Sequence, residues 1–261
     1  MKNIFLTLFV FSIVFSAQAF DQMHAGWSKV LSQFVEKSGV TTQVKYSELL
    51  KNQADLNAYL TEVQKVTQAE YSTWNEKQKL SFLFNAYNAF TIKLILNELE
   101  KNKDLKSIKK IGGMFGKPWK IKFFKFLGKE GYLDYIEQEI ARKNFDEPRM
   151  HFAFNCASIG CPSLQMTAFV AENLDAQLDQ VSRDFLKDSS RNELNQTKKT
   201  LALSSIFDWY KDDFENSKKQ GPLKRFLLIY FPFTAQQKSE FEADKYTIKY
   251  LDYNWDLNKK K

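Results

Sequence analysis

The residues best suited to chemistry lie in one short block, Arg149-Met-His-Phe-Ala-Phe-Asn-Cys-Ala-Ser-Ile-Gly-Cys-Pro162. The block holds both cysteines of the chain, Cys156 and Cys161, and one of its two histidines, His151. A histidine can act as a general base near neutral pH, and a cysteine can act as a nucleophile or pair into a disulfide. This block is therefore the first candidate site.

The two cysteines allow three interpretations. Cysteines close in sequence usually pair in an oxidising compartment, and Gly160 lets the loop bring their Cα atoms to about 5.5 Å, so we predict a disulfide between Cys156 and Cys161. The alternatives are a redox-active pair and a thiol nucleophile with His151 as its base. A strand over this block would put Cys156 about 16 Å from His151 and on the opposite face, whereas Cys161 could fold back towards it.

A second set of polar residues lies in a nearly all-apolar segment that predicts a buried helix. Ser81, Asn85 and Asn88 are spaced at i, i+4 and i+7 and therefore share one helix face. Buried amides are costly unless they are hydrogen-bonded. The asparagines either bind the backbone of a buried loop or line a functional site.

Our leading hypothesis is that the polar residues inside apolar elements converge on one pocket against this helix. We predict His151, Asn85 and Glu137 as catalytic candidates, and Asn88 and Asn155 as ligand-binding candidates. One function for such a pocket is hydrolysis or acyl transfer on peptide-like envelope material, with His151 as general base and the asparagines as orienting groups or oxyanion donors. The alternative is a non-catalytic binding module for a small polar ligand, a peptide or an anionic envelope component.

Several enzyme classes have no counterpart in this sequence. It contains no Gly-x-Ser-x-Gly elbow, phosphate-binding loop or dinucleotide fingerprint. It also offers too few ligands at recognisable spacing for a zinc site. We therefore expect neither a cofactor nor a metal.

The N-terminus predicts export. Lys2, an apolar run of about 12 residues and the small residues up to Ala19 make the three parts of a signal peptide over residues 1–19. A bilayer span takes about 20 apolar residues, so we expect no transmembrane segment. The prediction is a single globular domain over residues 20–261, located in the periplasm or secreted.

The positive charge is concentrated in one segment. The chain has a net charge of +7, and ten lysines lie between Lys101 and Lys129 against one acid, Asp104. Lysines interleaved with aromatic residues can bind an anionic surface or polymer, although a solvated strand face has the same pattern. Nucleic acid is not an expected partner of an exported protein.

Helices and strands alternate without a βαβ rhythm, so the predicted fold class is α+β, with a helical N-terminal half packed on a mixed or antiparallel sheet. Apolar spacing predicts helices over residues 22–37, 47–65, 76–100, 133–143 and 168–187, and smaller ones near 205–215, 222–230 and 234–244. Alternation predicts strands over residues 119–123, 150–155 and 246–253.

The sequence resembles the family catalogued as domain of unknown function 547. The blocks that carry the resemblance are Phe84-Asn-Ala-Tyr-Asn-Ala, Ile136-Glu137, Pro148 to Pro162 and Leu251-Asp-Tyr-Asn-Trp-Asp-Leu-Asn, with Asp21-Gln-Met-His24 and Val44-Lys-Tyr46. The resemblance implies one α+β domain, often exported in bacteria, with a polar cluster formed by the asparagine helix and the His–Cys block. It implies no substrate. It also implies a histidine directly after Ile136-Glu137, where this chain has Gln138.

Overall fold

The structure is a computed structural model that describes residues 19–113 and 116–260. The predicted signal peptide, apart from Ala19, lies outside the described residues. One hydrophobic cluster, with members from Trp27 to Leu257, joins the elements of the described ranges.

The first part of the described chain consists of helices and one hairpin. In order, these are α1 (Ala25–Phe34), β1 (Val35–Ser38), β2 (Thr41–Val44), α2 (Tyr46–Leu49), α3 (Ala54–Lys65), α4 (Gln68–Thr73) and α5 (Glu76–Leu99). The helix predicted over 22–37 ends at Phe34, because the next residues are extended and pair with β2. The helix predicted over 47–65 is interrupted between Leu49 and Ala54.

Helix α5 is the centre of the fold and confirms the helix predicted there. Its first turn is fixed by a capping box, in which Asn75 and Gln78 each accept a hydrogen bond from the other's backbone N–H. The residues from Leu80 to Ile92 are all buried, so the helix is covered on every side. It packs against α3 and against the helical segment Tyr135–Ala141.

The second part contains short elements. Four of them are 3₁₀ turns, at Ile108–Lys110, Pro118–Lys120, Pro148–Phe152 and Ala171–Asn173, and one is a π-helix at Tyr135–Ala141. The strands and α-helices of this part are, in chain order, β3 (Phe124–Phe126), β4 (Lys129–Gly131), α6 (Arg142–Asn144), α7 (Leu174–Lys187), β5 (Glu193–Asn195), β6 (Thr200–Ser204), α8 (Ile206–Trp209), α9 (Lys211–Glu215), α10 (Leu223–Tyr230), α11 (Ala235–Glu242) and β7 (Thr247–Leu251).

The α+β class is confirmed. The strands form three small sheets, rather than one sheet beneath the helices: the hairpins β1–β2 and β3–β4, and a mixed sheet β5–β6–β7. In the mixed sheet β6 pairs with β5 antiparallel and with β7 parallel. None of the helices within residues 19–113 and 116–260 is long and apolar enough to cross a membrane.

Two predicted strands are wrong. Residues 150–155 lie in and just after the 3₁₀ turn Pro148–Phe152, which starts with proline and is capped by the Glu147 side chain. Since every residue from Pro148 to Asn155 is buried, their alternation does not mark a half-exposed strand. The strand predicted over 119–123 is also displaced, because Pro118–Lys120 forms a turn and β3 begins only at Phe124.

Two asparagines of α5 fasten distant segments to the core. Asn85 donates to the carbonyl of Phe169 at 2.7 Å and accepts from the backbone N–H of the same residue at 3.0 Å. Asn88 donates to the carbonyl of Ala153 at 2.9 Å and accepts from the N–H of Asn155 at 2.8 Å. Asn88 therefore satisfies two backbone groups in a loop that has no sheet to pair with.

The stability of the protein should depend on this contact. Replacing Asn88 with alanine leaves the Ala153 carbonyl and the Asn155 N–H buried and unpaired, so we expect Asn88→Ala to lower the free energy of unfolding by about 2–4 kcal/mol in urea titrations. The control is Asn52→Ala, an exposed asparagine bonded to the Glu48 carbonyl, with an expected change of about 0.5 kcal/mol or less. Equal effects of the two substitutions would contradict the interpretation.

Candidate functional site

A cavity of about 240 Å³ lies between the π-helix, the 3₁₀ turn of His151 and the C-terminal segment. Its polar wall is formed by Asp134, Glu137, Gln138 and His151. Asp134 is partly buried and the other two acid–base groups, Glu137 and His151, are almost wholly buried. The cavity therefore holds titratable groups that have lost most of their contact with water.

Aromatic side chains make most of the remaining wall. They are Tyr87, Trp119, Phe154, Trp209, Tyr210, Tyr253 and Trp255. Trp209 is 47% exposed and stacks on Trp255, with ring centroids 5.6 Å apart. The cavity thus combines an apolar, aromatic surface with a few polar groups, as ligand sites commonly do.

His151 is held by an acidic partner. Its Nε2 lies 2.8 Å from Oδ2 of Asp213, a residue of α9. Arg142 fixes the same carboxylate through two hydrogen bonds, from Nε at 2.6 Å and from Nη2 at 2.9 Å. Burial alone would raise the pKa of Asp213, but the hydrogen bonds from His151 and Arg142 hold it well below its usual range.

The hydrogen bond to Asp213 sets the state of the imidazole. Burial lowers the pKa of His151, although Asp213 opposes the shift, so the ring is neutral at neutral pH. A carboxylate only accepts, so Nε2 carries the proton and Nδ1 carries the lone pair. Nδ1 is buried and has no hydrogen-bond partner among the described residues. His151 therefore has one oriented nitrogen and one free basic nitrogen.

The pKa of Glu137 is shifted in the opposite direction from that of His151. Tyr210 donates its hydroxyl to Glu137 Oε1 at 2.7 Å, and Gln138 donates to the same oxygen at 3.1 Å. Burial raises the pKa of Glu137 above its ordinary value, with Tyr210 opposing the shift. A raised pKa favours the protonated form of the carboxyl group over the carboxylate.

Tyr210 connects the two groups. Its hydroxyl binds Glu137, and its ring stacks on the imidazole of His151 with centroids 3.8 Å apart and planes at 20°. The guanidinium of Arg142 also lies against this ring, 4.9 Å from the centroid. Glu137 and His151 are thus held against the hydroxyl and the ring of the same tyrosine.

The predicted disulfide is present. Cys156 and Cys161 are bonded, with Cα atoms 6.0 Å apart, and both line the cavity. The argument that Cys156 lies far from His151 on the opposite face is wrong, because the chain between them turns instead of extending. The sulfur atoms and the imidazole belong to the same site.

The structure brings together only part of the predicted cluster. Glu137 and His151 lie in the cavity wall, whereas Asn85, Asn88 and Asn155 are not among the residues that line it. The Asn155 amide binds the carbonyl of Pro162 at 2.7 Å and the N–H of Ala157 at 2.9 Å. The side-chain amides of all three asparagines form hydrogen bonds with backbone groups. This favours the interpretation that the asparagines bind the backbone of a buried loop over the interpretation that they line a functional site.

Several residues of the site escaped the sequence prediction. Arg142 and Asp213 lie in the short helices α6 and α9, and Tyr210 lies between α8 and α9. Their sequence has no motif, and only tertiary packing brings them to His151. Tyr253 and Trp255 carried a signal, since both belong to the closing block of the family resemblance. Gln138, the departure from that resemblance, lies in the cavity wall beside Glu137 and accepts a hydrogen bond from Arg142. Within the described ranges no group of three histidine, cysteine or acidic side chains is placed to hold a metal ion.

Comparison with known families agrees with the resemblance. Residues 71–186 match the family described as Protein of unknown function, DUF547. The matched range includes α5, Glu137, His151 and both cysteines. The likeness of residues 21–24, 44–46 and 251–258 lies outside it and stays a prediction. No curated protein and no solved structure matches the chain.

The raised pKa of Glu137 predicts a pH-dependent effect on stability. The unfolded state ionises at lower pH than the folded state, so burial of Glu137 costs nothing below the unfolded pKa and destabilises the protein as the pH rises through the folded pKa. Glutamine cannot ionise. We therefore expect Glu137→Gln to gain stability relative to the parent as the pH rises above about 4, measured by thermal melting.

The control for this prediction is Glu139→Gln, which changes an exposed residue of the same helix. We expect the difference from the parent to stay nearly constant over the same pH range. A Glu137→Gln variant that loses stability relative to the parent as the pH rises would show that Glu137 ionises readily in the folded state.

Proposed function

We propose that the protein is an exported acid–base enzyme that hydrolyses or transfers an acyl group of a peptide-like substrate. The observation that carries the proposal is the pairing, in one aromatic cavity, of a neutral His151 held by Asp213 with a Glu137 whose pKa is raised. Groups shifted in these directions can take and give protons at neutral pH.

The roles follow from the hydrogen bonds. His151 Nδ1 is the general base that takes the proton from the attacking water or acceptor hydroxyl, because Nε2 is committed to Asp213. Glu137 is the general acid that protonates the leaving nitrogen or oxygen. Asp213 and Arg142 orient the imidazole. Asn85, Asn88 and Asn155 position the loops around the cavity, in place of the oxyanion contacts expected from the sequence.

The shape of the cavity supports a small or side-chain-sized group as the bound part. Sites for drug-sized ligands have about 300–1,000 Å³, and this cavity has about 240 Å³. Its aromatic walls favour an apolar or ring-bearing group next to the carbonyl under attack. One residue side chain of a peptide substrate would fill it, with the rest of the chain lying across the exposed Trp209.

Export is part of the proposal. The disulfide between Cys156 and Cys161 supports an oxidising compartment, and the predicted signal peptide over residues 1–19 supplies the route. The mature protein would then be one domain over residues 20–261, periplasmic or secreted.

Replacing either proton-transfer group should abolish activity in a folded protein. With a panel of chromogenic acyl esters and peptide amides, we expect His151→Gln and Glu137→Gln each to lower kcat/KM by about a hundredfold or more. The parent should show a bell-shaped pH profile, since His151 must be unprotonated and Glu137 protonated.

The matched control is His24→Gln. His24 is the other histidine, is also buried, and binds Tyr59 at 2.7 Å outside the cavity. This variant should keep the parental rate. A parent that cleaves none of the panel, or a His151→Gln variant that is as active as the parent, would exclude the acid–base roles.

The lysine-rich segment supports a second candidate function, binding of an anionic envelope component. All ten lysines from Lys101 to Lys129 are exposed. Lys109 lies over the ring of Trp255, 4.7 Å from its centroid, at the cavity wall. The basic surface therefore reaches the cavity, and an anionic polymer could lie along it.

We expect the variant with Lys117, Lys120, Lys122 and Lys125 changed to glutamine to fold normally and to lose salt-sensitive retention on vesicles that contain phosphatidylglycerol. The control changes four exposed lysines elsewhere, Lys211, Lys218, Lys238 and Lys245, and alters the net charge equally. Equal losses in both variants would assign the retention to net charge, and unchanged retention would leave the lysines as a solvated face.

A further inference from the structure

The disulfide in the cavity wall is surrounded by hydrogen-bond donors. The backbone N–H of Cys156 points at Cys161 Sγ, with the nitrogen 2.8 Å from the sulfur. The Tyr253 hydroxyl lies 3.1 Å from Cys161 Sγ and 3.2 Å from Cys156 Sγ. Ser158 Oγ lies 3.1 Å from Cys156 Sγ. A neutral disulfide sulfur is a weak acceptor and gains little from such a set, whereas a thiolate gains much more.

The two sulfurs differ in their donors. Tyr253 has one hydroxyl hydrogen and serves one sulfur at a time, with Cys161 Sγ the nearer acceptor at 3.1 Å. Ser158 also has one hydrogen, which goes either to Cys156 Sγ at 3.1 Å or to the Tyr253 oxygen at 3.2 Å. Burial raises the pKa of Tyr253, so its hydroxyl stays protonated and remains a donor. Cys161 is therefore the sulfur with two donors, one of them a fixed backbone N–H.

The two sulfurs also differ in access. Cys156 is partly exposed, whereas Cys161 is buried. An incoming group meets Cys156 first. Cys156 therefore carries the more accessible sulfur, and Cys161 carries the sulfur whose thiolate would be better stabilised as a leaving group.

We propose that the Cys156–Cys161 pair undergoes thiol–disulfide exchange with an external thiol, an activity that goes beyond the proposed hydrolysis and does not depend on it. The thiolate R–S⁻ attacks Cys156 Sγ, a bond forms between these two sulfurs, and the Cys156–Cys161 bond breaks. Cys161 leaves with the electron pair as a thiolate, held by the Cys156 N–H and the Tyr253 O–H. A second thiolate then releases Cys156, leaving R–S–S–R and a reduced protein.

The charged groups near the sulfurs are few. Arg191 donates to the carbonyl of Ile159 inside the loop that the disulfide closes, at 2.6 Å, which favours a thiolate there, although Asp188 offsets part of its charge. Glu137 and Asp134 face the same cavity and oppose a thiolate when they are ionised. Burial keeps His151 neutral and raises the pKa of both carboxyls, which limits that opposition.

The test follows exchange in the folded, oxidised chain with glutathione as the probe thiol, by alkylation and mass spectrometry at native pH. We expect Tyr253→Phe to slow exchange by about tenfold, since a hydrogen bond to a charged group is worth at least that factor. The control is Tyr246→Phe, a buried tyrosine bonded to Gln196 and Glu240 away from the cavity, which should exchange at the parental rate.

A second measurement identifies the attacked sulfur. When the reaction of the folded parent with glutathione is quenched with acid at early times, peptide mapping should find the glutathione mixed disulfide on Cys156 and the free thiol on Cys161. A mixed disulfide found first on Cys161 would contradict the proposed direction of attack. Exchange that occurs only after denaturation, or equal rates for Tyr253→Phe, Tyr246→Phe and the parent, would leave a purely structural disulfide and overturn the proposal. Hydrolytic activity is measured separately on the same samples, so the two proposals fail independently.

Discussion

The candidate site depends on the two hydrogen bonds between the Asn88 side chain and the loop after His151. One amide inside a covered helix satisfies the Ala153 carbonyl and the Asn155 N–H. Asn155 then binds the carbonyl of Pro162 and passes the constraint on to the cysteine loop. Because these groups are buried, no water can replace the contacts, and the imidazole and the sulfurs are held in one frame.

The C-terminal segment completes that frame from the other side. The N–H groups of Ile159 and Gly160 donate to the carbonyls of Asp256 and Asn254 at 2.7 and 2.8 Å. A side chain at Gly160 would meet the Tyr253 ring at 2.9 Å, so only glycine permits this approach. The close contact brings the Tyr253 hydroxyl to the disulfide and Trp255 to the cavity. The block Leu251 to Asn258, which the sequence singled out only by the family resemblance, therefore positions Tyr253 and Trp255 at the site.

The sequence predicted the features that depend on local pattern and missed those that depend on packing. Helix α5, the disulfide and the placement of His151 and Glu137 in one cavity were predictable, because burial of a polar residue in an apolar element is visible in the sequence. The turn that replaces the strand predicted over residues 150–155 was not predictable. In a fully buried turn, polar and apolar residues can alternate along the sequence although all of them are equally buried. Asp213 and Tyr210 were missed for another reason: their roles arise from long-range contacts that leave no spacing to detect.

Gln138 shows how the departure from the family pattern fits this chain. Its amide donates to Glu137 and accepts from Arg142, so it meets a carboxyl and a guanidinium at once without any charge of its own. A protonated histidine in this position would favour the ionised form of Glu137 and lower its pKa, and it would be repelled by Arg142. A neutral amide does neither. It leaves burial as the dominant influence on Glu137 and leaves Arg142 free to orient Asp213, so the opposed pKa shifts of Glu137 and His151 persist side by side.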